Sequence, residues 1–307
     1  MGGNEMEFRQ LKTFVTVAKM LSFTKAATEL SYAQSSITNQ IQSLENELGT
    51  MLFERLGRQI KLTKDGEQLC TYANQILKLL DEAKDLISSS SIPKGSITIG
   101  TAESLCTHRL PEILKIFRTR YPNVETNIRL DACSDYRSYL RKNTIDMVFF
   151  LDVPFNESDF ITHVLFEEPM AVIVAPDHPL AKKAQVLPHD INGQALVLTD
   201  LGCSYRRIFE SILVQAGAKP ASILAFTSNE VIKKFVSDGW GIGFLPQVTV
   251  AQELITHQLI SLPWAGTPFN IQTQLIYHKD KWISPALRAF INITLETLKN
   301  IGEEKII

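Results

Sequence analysis

The run Ser88-Ser89-Ser90-Ser91, followed by Pro93-Lys94-Gly95, divides this chain into two parts of different grain. Proline has no N–H to give a helix, and serine and glycine both favour leaving one, so no helix is expected to cross this stretch. Before it, apolar residues recur at helical spacing. After it, from Ile97 onward, short β-branched runs alternate with helical patterns. The fold must therefore hold a helical part first and an α/β part second, which fits about two domains for 307 residues.

Within the first part, Phe8, Leu11, Phe14, Val15 and Ala18 follow the 3–4 spacing of an amphipathic helix. A second helix is expected from about Thr24, as N-cap, with Ala26, Ala27 and Leu30 inward, until Ser31-Tyr32-Ala33-Gln34 breaks the pattern. A third places Ile37, Ile41, Leu44 and Leu48 on one face. Its other face carries Ser35, Ser36, Thr38, Asn39, Gln42 and Ser43, polar but uncharged. Solvated helix faces are ordinarily rich in lysine and glutamate. Short hydroxyls and amides instead suit base edges, since Asn or Gln can bond the N6/N7 edge of adenine bidentately. Two helices joined by a tight turn, the second so decorated, fit a helix-turn-helix; any small helical hairpin is the plain alternative.

After Gly49, Leu52–Lys64 alternates in two short segments around Gly57, as a two-stranded wing would, with Arg55, Arg58, Lys61 and Lys64 clustered there. The whole chain has a formal net charge of −2 and a pI near 6.3, which does not advertise nucleic-acid binding. Residues 1–64 alone carry 8 Lys/Arg against 6 Asp/Glu, so the local balance is positive. Beside a polar reading face, basic groups on a wing suit phosphates, which fix register while base edges specify sequence.

The stretch Ser22-Phe23-Thr24-Lys25-Ala26-Ala27 through Leu30, Gln34-Ser35-Ser36-Ile37-Thr38, Gln40-Ile41, Leu44-Glu45 and Glu47-Leu48-Gly49 closely resembles the DNA-binding domain of LysR-type transcriptional regulators. So does Leu52-Phe53-Glu54-Arg55 through Gly57-Arg58, Leu62-Thr63 and Gly66. Ile97–Gly100, Leu110-Pro111, Phe117, Arg120-Tyr121-Pro122 and Asp146-Met147-Val148 are similar to that family's first effector subdomain. Phe235, Val236, Gly239, Gly241-Ile242-Gly243 and Leu245-Pro246 are similar to its second. The resemblance implies a winged helix-turn-helix over 1–64 and a linker helix over 65–92. It further implies an α/β effector domain over 93–307, built of two subdomains like those of periplasmic binding proteins. Subdomain I would take about 93–162 and 267–307, and subdomain II 163–266, with crossings near Phe160–Val164 and Leu262–Pro268. It also implies Thr24, Lys25, Gln34, Ser35, Ser36, Thr38, Asn39, Gln42, Arg55, Arg58 and Lys61 as DNA contacts on an interrupted inverted-repeat operator, with RNA polymerase a partner of an activator.

Two departures stand out. Members often carry Pro at the position of Ser35 and Arg or His at that of Asn39. With no basic residue between Lys25 and Arg55, phosphate contacts fall to Lys25 and the wing.

Between the two parts, Leu69, Ala73, Ile76, Leu80, Ala83 and Ile87 make a 4-3-4-3-4 seam, widened by Leu79 and Leu86. Such a seam can pair with a second copy by knobs-into-holes packing. A core helix packed on its own domain is the commoner use of such a stripe, but little local core is expected beside so small a head. The resemblance implies a homodimer through this helix, often assembled into a homotetramer.

In the second part, strand-to-helix turns occur at Thr101-Ala102-Glu103-Ser104, Asp131-Ala132-Cys133-Ser134, Leu201-Gly202-Cys203-Ser204 and Phe226-Thr227-Ser228-Asn229. Each serine is also an ordinary helix N-cap. Ligands of α/β sheets gather beyond strand carboxyl ends, beside helix N-termini. The resemblance implies that these ends converge on an interdomain cleft, with Thr101, Ala102, Glu103, Ser104, Ser134, Leu151, Asp152, Cys203, Ser204 and Ser228 as its effector-binding residues. Helix N-termini suit a small anion such as a carboxylate metabolite, whereas Glu103 at the lip opposes a strongly anionic one.

No Walker A loop, G-x-S-x-G or H-E-x-x-H is present, and Cys106 with His108 lacks an orienting third group, so no enzyme, cofactor or metal is expected. The four cysteines are scattered, as buried thiols in a reducing compartment would be. With no apolar run long enough to span a bilayer and no secretion signal in Met1–Glu5, a cytoplasmic protein is expected. The alternative reading is a thiol-based redox-sensing regulator. Cys203 stands where the family's peroxide sensors place their reactive cysteine, at a helix start whose dipole lowers a thiol pKa. Their resolving position is Ile212 here, which leaves Cys106 as the partner.

Overall fold

The computed structural model describes residues 6–56, 59–87, 93–130, 135–154 and 157–303, and the chain forms two units, Met1–Ser90 and Ser91–Ile307. Arg58, Ser134 and Ser88–Ser91 lie outside the described residues, as do the side chains of Arg55, Leu86 and Ile87.

The first unit holds helices α1 (Phe8–Met20), α2 (Phe23–Leu30) and α3 (Gln34–Leu48), strands β1 (Phe53–Leu56) and β2 (Gln59–Leu62), and helix α4 (Lys64–Ile87). Helix α2 is capped two residues earlier than expected. Ser22 is its cap, with its hydroxyl accepting from the Lys25 N–H at 3.3 Å. Thr24 sits inside the helix and donates instead to Gln34 Oε1 at 3.2 Å. Ser31 ends α2 at φ 56°, and three residues later α3 begins. Phe14, Val17, Ala26, Ile37, Ile41 and Leu44 close one core. The inward stripe of α3 changes at its end: Leu48 is 41% exposed, and Glu45 is buried in its stead. There the Glu45 carboxylate accepts from the N–H groups of Leu52 (2.8 Å) and Phe53 (3.3 Å), which otherwise would be buried without a partner as the chain enters the wing. β1 and β2 pair antiparallel as that wing. Gly66 lets α4 start against the wing entry, since a Cβ there would strike the Leu52 carbonyl.

Helix α4 corrects the seam. Ala73 is fully buried in the head's own core, with Leu69 and Ile76 packed beside it. Local core does cover this half of the helix, because α1 lies along it. Among the described side chains of α4, the exposed large apolar groups are Tyr72 (64%) and Leu79 (56%), seven residues apart.

The second unit contains two five-stranded sheets. In chain order, its elements begin with β3 (Gly95–Thr101), α5 (Glu103–His108), α6 (Leu110–Arg120), β4 (Val124–Arg129), α7 (Tyr136–Arg141), β5 (Met147–Asp152) and β6 (Phe160–Glu167). Next come β7 (Met170–Val174), β8 (Ala195–Thr199), α8 (Ser204–Gln215), β9 (Ser222–Phe226), α9 (Asn229–Ser237), β10 (Ile242–Pro246), α10 (Gln247–Ile255) and β11 (Ile260–Ser261). β12 (Gln272–His278) and α11 (Pro285–Glu303) complete it. One sheet runs β4-β3-β5-β12-β6 and the other β11-β7-β10-β8-β9. β5 is buried along its whole length, as a central strand covered on both faces must be.

Both crossings lie further along the chain than expected. β6 pairs with β12 from Phe160 to Glu167, so the first crossing follows at Glu168-Pro169, past the strand that contains Phe160–Val164. Trp264 and Phe269 stay in the second subdomain's aromatic core. Phe269 lies 4.5 Å from Phe244, and Phe244 stacks on Phe209 at 4.6 Å, so the return crossing comes after Phe269 rather than at Leu262–Pro268. The two crossing segments touch where Glu168 N–H donates to the Ile271 carbonyl at 2.9 Å.

Candidate DNA interface and effector cleft

The outward face of α3 divides by use. Gln40 accepts from Thr13 at 2.7 Å and Ser43 from Gln10 at 3.1 Å, so these two hold α1 against α3. Gln34, Ser35, Asn39 and Gln42 are exposed, while Ser36 and Thr38 are half-buried. Ala33 gives the helix no side-chain cap; its carbonyl takes the Ser36 N–H at 3.0 Å, and the N–H groups of Gln34 and Ser35, ahead of it, suit an anion such as a phosphate. Thr24, Lys25 and Lys61 are exposed on neighbouring elements. Where base-edge donors and acceptors, free helical N–H groups and exposed cations occupy one small unit, the matching chemistry is a grooved polyanion.

In the second unit the carboxyl ends of β3, β5, β8 and β9 meet the starts of α5, α8 and α9. Four of the expected residues there are joined across the subdomain boundary. Glu103, at the start of α5, accepts from the Asn229 N–H at 2.7 Å and from the Ser228 hydroxyl at 3.3 Å, both at the start of α9. The Ser204 hydroxyl of α8 donates to the Leu151 carbonyl of β5. Thr101 and Ser204 are buried, and the Thr101 carbonyl accepts from Tyr136 Oη at 2.6 Å. Tyr136 can lie over β3 because Gly100 has no side chain: a Cβ there would fall 2.6 Å from the ring. Asp152 is buried, and burial raises its carboxyl pKa against the opposing pull of the Val153 N–H and the guanidinium groups of Arg207 and Arg137. Arg207 Nη2 stands 3.7 Å from Asp152 Oδ2 and is itself 64% exposed.

Both units match family models along most of their length. Residues 8–67 match the one described as "Bacterial regulatory helix-turn-helix protein, lysR family", and residues 90–299 match "LysR substrate binding domain". The chain belongs to the LysR family of transcriptional regulators. This LysR-type regulator is 40% identical over 295 residues to the uncharacterized HTH-type transcriptional regulator YwqM of Bacillus subtilis (strain 168), covering 96% of this chain and 100% of that one. It is 32% identical over 286 residues to the HTH-type transcriptional regulator GltR of the same organism, covering 93% and 95%. A full-length OxyR variant from Pseudomonas aeruginosa superposes with a TM-score of 0.71 at 23% identity, covering 96% and 95%, a likeness of fold. The relatives are regulators, not enzymes. The LysR-type regulator likewise joins a DNA-binding head to an effector-binding domain.

Sequence reasoning missed Arg207 and Asn229. Arg207 was findable: it lies one helical turn after Ser204 on the same face of α8. Asn229 gives its backbone N–H, a role for which its side chain carries no sign. The thiol expectation is reversed by burial. Cys203 is 9% exposed, and desolvation raises its pKa, outweighing the hydrogen bonds that lower it. Cys106 and Cys203 are both free thiols, so no disulfide joins them, and the redox alternative has no specific support in the LysR-type regulator.

Proposed function

We propose that this regulator reads double-stranded DNA through Gln34, Ser35, Ser36, Thr38, Asn39 and Gln42, and holds phosphates with Thr24, Lys25, Arg55, Arg58 and Lys61. The observation that carries this reading is the exposed, uncharged amide and hydroxyl face of α3. A two-fold pair of heads would match an interrupted inverted repeat, because operator symmetry mirrors protein symmetry. Pairing runs through the outward face of α4, by Tyr72, Leu79, Leu80 and Ala83, in a homodimer or a homotetramer.

A small anion, of the class of carboxylate metabolites, binds between the subdomains. Thr101, Ala102, Glu103 and Ser104 form one wall with Leu151 and Asp152; Cys203, Ser204, Arg207 and Ser228 form the other. Helix N-termini and an exposed guanidinium supply the complementary charge. Where the output is activation, RNA polymerase is the further partner.

Genome-wide mapping of bound DNA would yield the operator, and the neighbouring genes the ligand class. On that operator Asn39→Ala should lose about 1–3 kcal/mol of specific binding and relax one base position, with non-specific binding kept. Equal loss on both kinds of DNA in a gel-shift titration would refute base reading by α3.

A further inference from the structure

Helix α9 has no side-chain cap of its own. The first N–H of its opening turn is capped from the other subdomain by Glu103, one carboxylate oxygen on the Asn229 N–H at 2.7 Å and the other on the Ser228 hydroxyl at 3.3 Å. A carboxylate on a helix N-terminus is held by the N–H groups and by the dipole together. Next to Glu103, Ser104 is 1% exposed, and its hydroxyl has no hydrogen-bond partner. Such a group in a native structure marks an arrangement that leaves something unsatisfied.

The far end of α5 is also anchored. Arg109, which ends α5, bonds Glu168 at 3.0 Å, and Glu168 accepts from Thr273 at 2.8 Å. Glu168 lies on the first crossing and Thr273 follows the second, so α5 runs from the start of α9 to the hinge.

We propose that Glu103 is a tethered stand-in for the effector: its carboxylate fastens the two subdomains across the cleft, and an incoming carboxylate is sensed by displacing it from α9. The inference rests on the cleft being the effector site, and it adds how that site is switched. The effector class follows from the bonds to be replaced. A free carboxylate can put one oxygen on the Asn229 N–H and the other on the Ser228 hydroxyl, as Glu103 does. Displaced, Glu103 no longer links α5 to α9, and the change reaches the hinge through Arg109 and Glu168. An equilibrium moves only by as much as the ligand distinguishes the two arrangements, and competition for a shared seat is such a distinction.

Hydrogen–deuterium exchange on the full-length protein tests this, read on the peptide from Thr227 to Lys233. Glu103→Ala should exchange there about tenfold faster or more, the scale of a lost charge-assisted hydrogen bond. Excess sodium acetate should slow the Glu103→Ala protein again, where equimolar sodium chloride does not. Glu103→Gln, which keeps the shape and one acceptor, should fall between, with a wild-type melting temperature excluding general unfolding. Wild-type exchange in Glu103→Ala, or acetate acting no better than chloride, overturns the proposal. Operator footprints of the same protein separate the two layers. A shifted footprint without effector supports both, whereas faster exchange with an unchanged footprint upholds the latch and rejects the cleft as the sensor.

Discussion

Asp152 shows how one residue serves two demands. Its carboxyl closes the buried strand β5, yet it stands near Arg207 across the subdomain boundary, and burial raises its pKa. A carboxyl whose folded pKa lies above its unfolded value penalises the native state while ionised. That penalty is present at neutral pH and disappears as pH falls from the folded value to the ordinary carboxylate range. Asp152→Asn, which keeps an acceptor for the Val153 N–H, should therefore melt higher than wild type at pH 7. The gap should close over that acid window, and a gap constant with pH would show that ionisation is not its origin. Cys203 offers a second residue-scale expectation. Its buried, pKa-raised thiol should resist iodoacetamide in the native protein and react only after denaturation. Rapid native alkylation would revive the redox reading. Single-residue chemistry was legible in the sequence only where side-chain type determined it. The amides of α3 announce themselves, but the exchange of Leu48 for Glu45 on the inner face does not. That exchange depends on where the chain turns after Gly49 and which N–H groups are buried there.

At the scale of elements, spacing proved a good guide to what forms and a poor one to what covers it. The 4-3-4 stripe of α4 is a helix, as the pattern requires, but periodicity cannot say which partner buries a stripe. Leu69, Ala73 and Ile76 face α1, and the exposed apolar groups lie one position away, at Tyr72 and Leu79. The subdomain crossings were displaced for a similar reason. Strand β6 has exposed positions at Ile161 and Val164, so its pattern does not betray a strand that continues beside β12 to Glu167. Two substitutions on α4 should therefore behave differently. Leu79→Asp should abolish the dimer in sedimentation while the head stays folded. Ala73→Asp should melt the head itself, since Ala73 is fully buried and an unpaired charge in a core costs several kcal/mol. If Leu79→Asp sedimented as wild type, the pairing face would lie elsewhere.

At the scale of the whole molecule, the ends of β3, β5, β8 and β9 meet across the subdomain boundary, and the effector proposed to bind there can act only by favouring one subdomain arrangement over another. The present arrangement is fastened by Ser204 on Leu151 and Glu103 on α9, and it buries Thr101. Regulation then requires that a change at these contacts alter which half-sites an oligomer reaches, two sites coupled rather than shared. Thr101 and Ser204 test that coupling, because they belong to different subdomains and neither lies in the DNA-binding unit. Thr101→Val keeps the volume of the side chain and removes its hydroxyl; Ser204→Ala removes the bond to Leu151. Each should abolish the effect of the cognate metabolite on the operator footprint while leaving the affinity of a single head for its half-site within about threefold, since the head itself is untouched. A metabolite that still altered the footprint of the double variant would act through some other site, and the cleft would be a structural seam rather than a sensor.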